Sequence, residues 1–526
     1  MKLNLIFLAG ATAIQSQNKL RHTRAHVNSE AQSALADPLT KQRIVVKEDV
    51  FDQVLDHFDE SNTDTLKQRY FRRQFAAGSD EDSPRYALLC CGGEGPPLTK
   101  SVLTNSVHCT GDMLEFAASL PENSRVDFYA LEHRYYGTSF PDDSVMDGSD
   151  KWKYLSSRQA INDVAAFIVG TDSEATWVTF GGSYPGMVAG FSRSKFPDVI
   201  SASVSNSAPM QAQVEMKEYN DVVARDLADA DVGGSKECHD IVSNGHDAIR
   251  RILESDSTRD ILNLAEQFNF CDPESLLEVN TRHSFAGDGV IYIMAQENDP
   301  SCTTEVCDIS KLCEFLIAAE GKDGDDDNLN KLAALASLQN GGECVRVNAD
   351  SDFEYYSSNA AVVSGAASWL YQTCNEFGFY QTCTSDSSCP YAKGFHTLDR
   401  DLDLCEKVFN ITADEVYANV DASNEFYGGW GIVDPKIIFV NGDVDPWSAL
   451  AVTEGNPAVS EENFAFWVEG ASHHFWTHES LPTDKENVNQ AREKIWAKLT
   501  DFLTSSSSSS SSSSHDFHRD QFLFEG

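Results

Sequence analysis

The chain has 526 residues, 41% of them hydrophobic and 10% aromatic, enough to bury a large core in two or three domains. Asp plus Glu number 82 against 40 Lys plus Arg, a net charge of -42. That balance excludes a nucleic-acid binder, which needs a basic footprint for phosphates; it fits an ordinary soluble protein, or one working in an acidic compartment where protonation relieves self-repulsion.

The start, MKLNLIFLAGATAIQSQ, reads as a secretory signal over residues 1–16: Lys2, an apolar run from Leu3 to Ile14, then small and polar residues. A buried N-terminal segment is the alternative. The run is too short to span a bilayer, and no other stretch approaches the roughly 20 apolar residues of a membrane helix. Residues 17–44 are polar and read as a linker or propeptide.

Residues 45–207 have an α/β texture. RYALLCCGGEG is a strand entering a glycine turn, and RVDFYALEHRYYG is a strand ending in a polar, aromatic cluster. SRQAINDVAAFIVG sets Ala160, Ile161, Val164, Ala165 and Ile168 at helical spacing. TWVTF and VISASVSNSAP are two further buried strands. Strands alternating with helices predict a parallel sheet.

Residues 208–428 change character, with charge, cysteine and helical patterning as in DILNLAEQFNF and NLNKLAALASLQN, and predict a helical insertion. Most of the 13 cysteines lie between Cys238 and Cys405, and behind a signal peptide they predict disulfides, with at least one cysteine left over. Cys302, Cys307 and Cys313 are close in sequence, but no paired C-x-x-C or H-x-x-x-H accompanies them, so no metal is expected. GKDGDDDNLN reads as a solvated acidic loop, lacking the ligand spacing of a calcium loop. Asn410-Ile411-Thr412 is a glycosylation sequon at Asn410.

The α/β texture returns over residues 429–503. PKIIFVNGDVDPW is a strand entering an aspartate-bearing loop, NFAFWVEGASHHFW a strand entering a histidine-bearing loop, and NVNQAREKIWAKLTDFL a closing amphipathic helix. Residues 504–526 carry the serine run Ser505–Ser514 and are expected to be disordered.

The chemistry converges on TFGGSYPGMVAG. A serine between an apolar strand and a helix, flanked by glycines, has the context of a nucleophile elbow. Gly181 fits the first glycine of G-x-S-x-G; Pro185 takes the second place and Gly186 follows. Proline is tolerated in a first helical turn, where its missing N–H is not needed. A plain glycine loop is the competing reading. A serine hydroxyl needs a histidine to take its proton and an acid to orient that histidine. In α/β-hydrolases both follow the serine in the chain, acid first, at strand ends. Here Asp443 and Asp445 follow one strand and His473 and His474 the next, and the residues alone leave the choice within each pair open.

LEHRYYGTSFP, GGSYPG, NGDVDPW and GASHHFW, in that order, resemble the serine peptidase family of lysosomal Pro-X carboxypeptidase, dipeptidyl peptidase II and thymus-specific serine protease. The resemblance runs from about residue 50 to 500. It implies an α/β-hydrolase domain with an inserted, mainly helical, disulfide-containing cap. By motif position it implies Ser183 as nucleophile, Asp445 as acid and His473 as base.

The oxyanion needs preorganised N–H donors. The backbone of Tyr184 is one candidate, and the early turn Gly93, Glu94 and Gly95 is placed to supply another. The resemblance further implies cleavage after proline, whose ring must be selected by apolar shape. Met187, one helical turn past Ser183, and Trp447 and Trp476, just after the acid and base, are candidate pocket walls, each equally readable as core. Glu94 is a candidate partner for a substrate amine. The expected activity is thus a serine-type exopeptidase, Pro-X carboxypeptidase or dipeptidyl aminopeptidase. It is secreted or held in a lysosome- or vacuole-like acidic compartment. It needs no cofactor, and its partners are peptide substrates, with a homodimer allowed. The rivals are an esterase- or lipase-type α/β-hydrolase and a non-catalytic secreted binding protein.

Overall fold

The computed structural model describes residues 44–142, 151–255, 257–319, 325–348, 350–432, 434–456, 459–460 and 462–505. The expected signal peptide, nearly all of the linker, and the serine run beyond Ser505 lie outside the described residues.

Ten strands occur among the described residues: β1 (Lys47–Val54), β2 (Thr65–Ala77), β3 (Arg85–Cys91), β4 (Arg125–Leu131), β5 (Thr176–Gly182), β6 (Ala202–Asn206), β7 (Gln213–Glu215), β8 (Gly378–Tyr380), β9 (Ile437–Gly442) and β10 (Phe464–Val468). Eight form one sheet in the order β1-β2-β4-β3-β5-β6-β9-β10. From β4 to β10 every pairing is parallel, as the alternation predicts. At the other edge the sheet is antiparallel: β1 pairs with β2, and β2 with β4. Central strands such as β5 are buried along most of their length, which is why TWVTF is a continuous apolar run.

Helices cover both faces. Ser157–Asp172 is capped by Ser156, whose side chain accepts from Gln159 N–H, and Tyr184–Lys195 begins with Pro185 in its first turn. These two bury Ile161, Val164, Phe167, Val188 and Phe191 against one face of the sheet. On the other face, Ile495 and Leu499 of Glu486–Ser505 pack with Met113, Phe116, Phe128, Phe180 and Val440. Each such side chain, fully buried, contributes roughly 1.5–3 kcal/mol.

Between β6 and β9 the chain is mainly helical, apart from the two-stranded β7–β8 ladder. Its own core gathers Leu227, Ile249, Leu264, Leu312 and Leu332, and Val444 reaches into that core from the loop after β9. The architecture is the α/β-hydrolase class with an inserted, disulfide-containing helical cap. Six disulfides are present: Cys90–Cys109, Cys238–Cys313, Cys271–Cys344, Cys302–Cys307, Cys374–Cys405 and Cys383–Cys389. All but the first staple the insertion, and the leftover cysteine is the buried Cys91. Cys302, Cys307 and Cys313 are thereby out of use as thiolate ligands. The acidic stretch is not all loop: Asp325–Gln339 is a helix, and Asp327 sits in its first turn, where negative charge suits the helix dipole. Residues 321–324 lie outside the described set.

Candidate active site

Ser183 joins the end of β5 to its helix with φ 66 and ψ -136. A non-glycine residue in that region stores roughly 1–3 kcal/mol of strain, which the surroundings must hold. They do so by backbone bonds: Ser183 N–H donates to Asn206 C=O (2.9 Å), and Met187 N–H donates to Ser183 C=O (3.1 Å). A Cβ on Gly181 would stand 2.1 Å from the Pro185 carbonyl oxygen, and one on Gly186 2.8 Å from that of Asn206. The variant motif therefore keeps glycine where backbones touch and admits proline between. The Ser183 side chain makes no capping bond to its own helix.

The geometry separates the two paired candidates. Asp445 Oδ2 lies 2.8 Å from His473 Nδ1, and both side chains are buried. Asp445 Oδ1 accepts from Trp447 N–H at 3.0 Å, so the carboxylate is fixed through both oxygens. Asp443 instead accepts from Gly470 N–H (2.6 Å), tying the β9 and β10 loops together. A carboxylate can only accept, so His473 Nδ1 carries the proton and Nε2 is its basic nitrogen. That Nε2 is buried with no hydrogen-bond partner among the described residues. His474 turns through φ 41, donates its backbone N–H to Ser207 Oγ (2.8 Å), and lays its ring against Gly182. The histidine loop thus packs on the residue just before Ser183.

Asn206, at the end of β6, escaped the sequence reading. Its backbone carbonyl takes Ser183 N–H; its Nδ2 donates to Gly181 C=O (3.1 Å) and Asp112 Oδ2 (2.7 Å); its Oδ1 accepts from Trp476 Nε1 (2.7 Å). One buried amide links the elbow to the loop that carries His473. Burial pushes the neighbouring Asp112 carboxyl up to about 7, against the lowering effect of the Asn206 donor. The available signal was an asparagine closing an otherwise buried strand.

Tyr184 opens the elbow helix, and its phenol is held from two sides. His133, of the HRYYG cluster, lies with Nδ1 2.6 Å from Arg134 C=O and Nε2 2.8 Å from Tyr184 Oη. Since the carbonyl only accepts, Nδ1 donates and Nε2 receives the tyrosine proton. Burial pushes the His133 imidazole down to about 4, in keeping with that neutral form. From the cap, Gln372 Nε2 donates to Tyr184 Oη (2.7 Å) while its Oε1 accepts from Tyr136 Oη–H (2.7 Å). The Gly93–Gly95 turn sits on the elbow, with Gly93 against the Pro185 ring.

The expected pocket residues divide. Met187 and Trp476 are 0% exposed and sit in core clusters on opposite faces of the sheet. Trp476 donates its Nε1–H to Asn206 Oδ1, and Met187 packs with Tyr184 and Val188 in the first of these clusters. Trp447 stays partly exposed and leads an aromatic arc. Its ring centroid lies 6.4 Å from that of His473 and 5.5 Å from Phe379. Phe379 stacks on Phe377 at 5.6 Å, and Phe377 meets Tyr184 at 5.6 Å. The two phenylalanines come from the cap and had no recognisable spacing in sequence. Asn410 is exposed at the C-cap of Leu398–Phe409.

The family model described as Serine carboxypeptidase S28 matches residues 53–495. The thymus-specific serine protease of Mus musculus is 31% identical over 507 residues, covering 92% of this chain and 94% of its own. The Homo sapiens protein of that name is 31% identical over 468 residues, 86% of each chain. Lysosomal Pro-X carboxypeptidase of Mus musculus is 23% identical over 498 residues, 90% of this chain and 91% of its own. Among solved structures, the peroxisomal alpha-beta-hydrolase Lpx1 of Saccharomyces cerevisiae aligns with 91% of this chain and 94% of that one, at 10% identity and a TM-score of 0.34.

Proposed function

We propose that this chain, which belongs to the serine carboxypeptidase S28 family, hydrolyses peptide bonds after proline from a chain end, using Ser183, His473 and Asp445. The observation that carries the reading is the buried Asp445–His473 pair, with Nε2 unpartnered among the described residues, on the loop whose next residue, His474, packs on Gly182 of the strained serine elbow. In this mechanism His473 Nε2 takes the Ser183 hydroxyl proton as Oγ attacks the scissile carbonyl. Asp445 stabilises the imidazolium that forms. The oxyanion is received by Tyr184 N–H and an N–H of the Gly93–Gly95 turn. His473 then protonates the leaving amine, and water, activated by the same nitrogen, releases the acyl group from Ser183.

The preference for proline is supported by Trp447, the partly exposed head of a buried aromatic row that runs through Phe379 and Phe377 to Tyr184, and by the Pro-X in a relative's name. Six disulfides fit an oxidising compartment, secreted or lysosome-like, and Asn410 is the proposed glycan acceptor. No helix among the described residues is long and apolar enough to cross a membrane. Three peptides test the activity: one with a free carboxyl end after Pro-X, one with a free amine before X-Pro, and one blocked at both ends. Cleavage of either of the first two alone names the exopeptidase. Cleavage of the blocked peptide at the same rate, or of ester substrates only, overturns the reading.

A further inference from the structure

Gln296 is 7% exposed and lies in the cap, on the stretch between Ala286 and Ile309. Its backbone carbonyl accepts from His473 N–H at 3.1 Å. Its side-chain Oε1 accepts from Trp447 Nε1–H and from Tyr219 Oη–H, each at 2.9 Å. An indole N–H can only donate, so the oxygen of the carboxamide must face it, and two donors occupy both lone pairs of that oxygen. The next rung is similar: Ser472 Oγ–H donates to Asn298 C=O at 2.9 Å. Residues 296–298 therefore form a strap along Ser472 and His473. The strap is anchored in turn, because Asn298 Oδ1 accepts from Ile309 N–H (3.0 Å) and Cys302–Cys307 closes the loop between.

We propose that Gln296 is a positioning residue that sets the Trp447 indole against the catalytic histidine and so fixes the pocket for the substrate's acyl-side ring; this rests on the peptidase reading above. The Trp447 ring is packed edge-on by Tyr219 (5.4 Å) and Phe379 (5.5 Å), contacts that confine it without fixing its rotation. The directional contact is the hydrogen bond to Gln296, and the same oxygen holds Tyr219. Without that acceptor, the indole N–H loses its hydrogen bond and the ring is free to turn. The backbone bond to His473 survives any side-chain change, so proton transfer at Ser183 is retained while the fit of the substrate is lost. The cap thus shapes the pocket from outside it, through a residue that does not touch substrate.

The test uses the full-length protein and steady-state cleavage of a proline peptide, with fluorophosphonate titration of Ser183 as the independent readout. Gln296→Leu is expected to lower kcat/KM for the proline peptide by about 10- to 100-fold, chiefly through KM, as expected for the loss of the indole's buried hydrogen bond. The titrated fraction of sites and the pH dependence of labelling stay as in the parent protein. Gln296→Glu, which keeps an acceptor, is expected to restore the rate to within about threefold of wild type. In a Trp447→Phe, Tyr219→Phe background, which lacks both of those donors, Gln296→Leu adds less than about twofold. Trp447→Phe alone reproduces the selective loss, which keeps the proposal testable if Gln296→Leu folds poorly. Wild-type kinetics in Gln296→Leu, or an equal loss in that doubly substituted background, overturns the inference while leaving the peptidase reading intact. Absence of labelling in the wild-type protein overturns that reading first.

Discussion

A Cβ placed on Gly93 would stand 2.4 Å from Cγ of Pro185, so the early glycine turn rests directly on the first turn of the elbow helix. Both ends of the proposed oxyanion site are thereby locked to each other. Gly93→Ala must push the turn off the elbow, because a proline ring cannot swing aside. The expected result is a fall in kcat of about 10²-fold with a smaller change in KM, as for loss of one oxyanion donor. Steady-state kinetics on a proline peptide check it; a kcat within twofold of wild type would remove the Gly93–Gly95 turn from the site.

Asp443 and Asp445 stand two residues apart with different partners. Asp445→Asn would set an amide N–H against His473 Nδ1 and force the wrong tautomer. Turnover is expected to fall by about 10³- to 10⁴-fold with binding little changed. Asp443→Asn keeps an acceptor for Gly470 N–H and should stay within about threefold, a single lost charge on a neutral-donor bond. Reversed sensitivities of the two variants would reassign the acid.

Asn206 joins the elbow, Asp112 and Trp476 through one side chain. Asn206→Leu leaves the Trp476 N–H without its acceptor and takes the side-chain donor from the buried Asp112 carboxyl, which keeps backbone donors. Thermal unfolding is expected to show a loss of about 3–5 kcal/mol, at the upper end for a single substitution. An unchanged melting temperature would show that the elbow and the histidine loop are held independently.

Glu376 is buried and receives Ser157 N–H (2.8 Å) and Ser157 Oγ–H (2.6 Å). Burial pushes its carboxyl up to about 7, opposed by the Ser157 donors, by Gln372 and by the charge of Arg158. The folded protein therefore keeps this proton where the unfolded chain, near 4.5, has released it. Its contribution to stability is full below about pH 4.5, falls as pH rises, and is gone above about 7. His133 and His246, pushed down to about 4 by burial, act in the opposite sense up to about 6.5, so the comparison must be with a variant. Glu376→Gln mimics the protonated form. Relative to wild type it should gain stability steadily between those limits, by up to about 3 kcal/mol at about 1.4 kcal/mol per tenfold in proton affinity. A constant difference across that range would mean that Glu376 is ionised in the fold.

Much of this molecule is legible in its sequence because it is local. TWVTF followed by GGSYPG announces strand, turn and helix through period and glycine content alone, and the aspartate and histidine loops follow their strands in chain order. Legibility ends where contacts are distant or where faces matter. Asp443 and Asp445 have similar neighbours in sequence and differ only in what lies across from them. Trp476 follows a histidine in left-handed backbone, and its ring packs in the cluster of Met113, Phe180 and Ile495. The strand KEDVFDQV was not foreseen, because an edge strand carries the charges that hide its pattern. Gln296 meets Trp447 across 151 residues, and nothing in its own neighbourhood marks it.

The central claim is that the Ser183 hydroxyl is the nucleophile, and fluorophosphonate labelling with mapping of the modified peptide tests it most directly. Wild-type protein should take up one equivalent of probe on the peptide containing Ser183, and Ser183→Ala, folded to the same melting temperature, should take up none. Full labelling of the alanine variant, or no labelling of folded wild-type protein from acid to neutral pH, would contradict it.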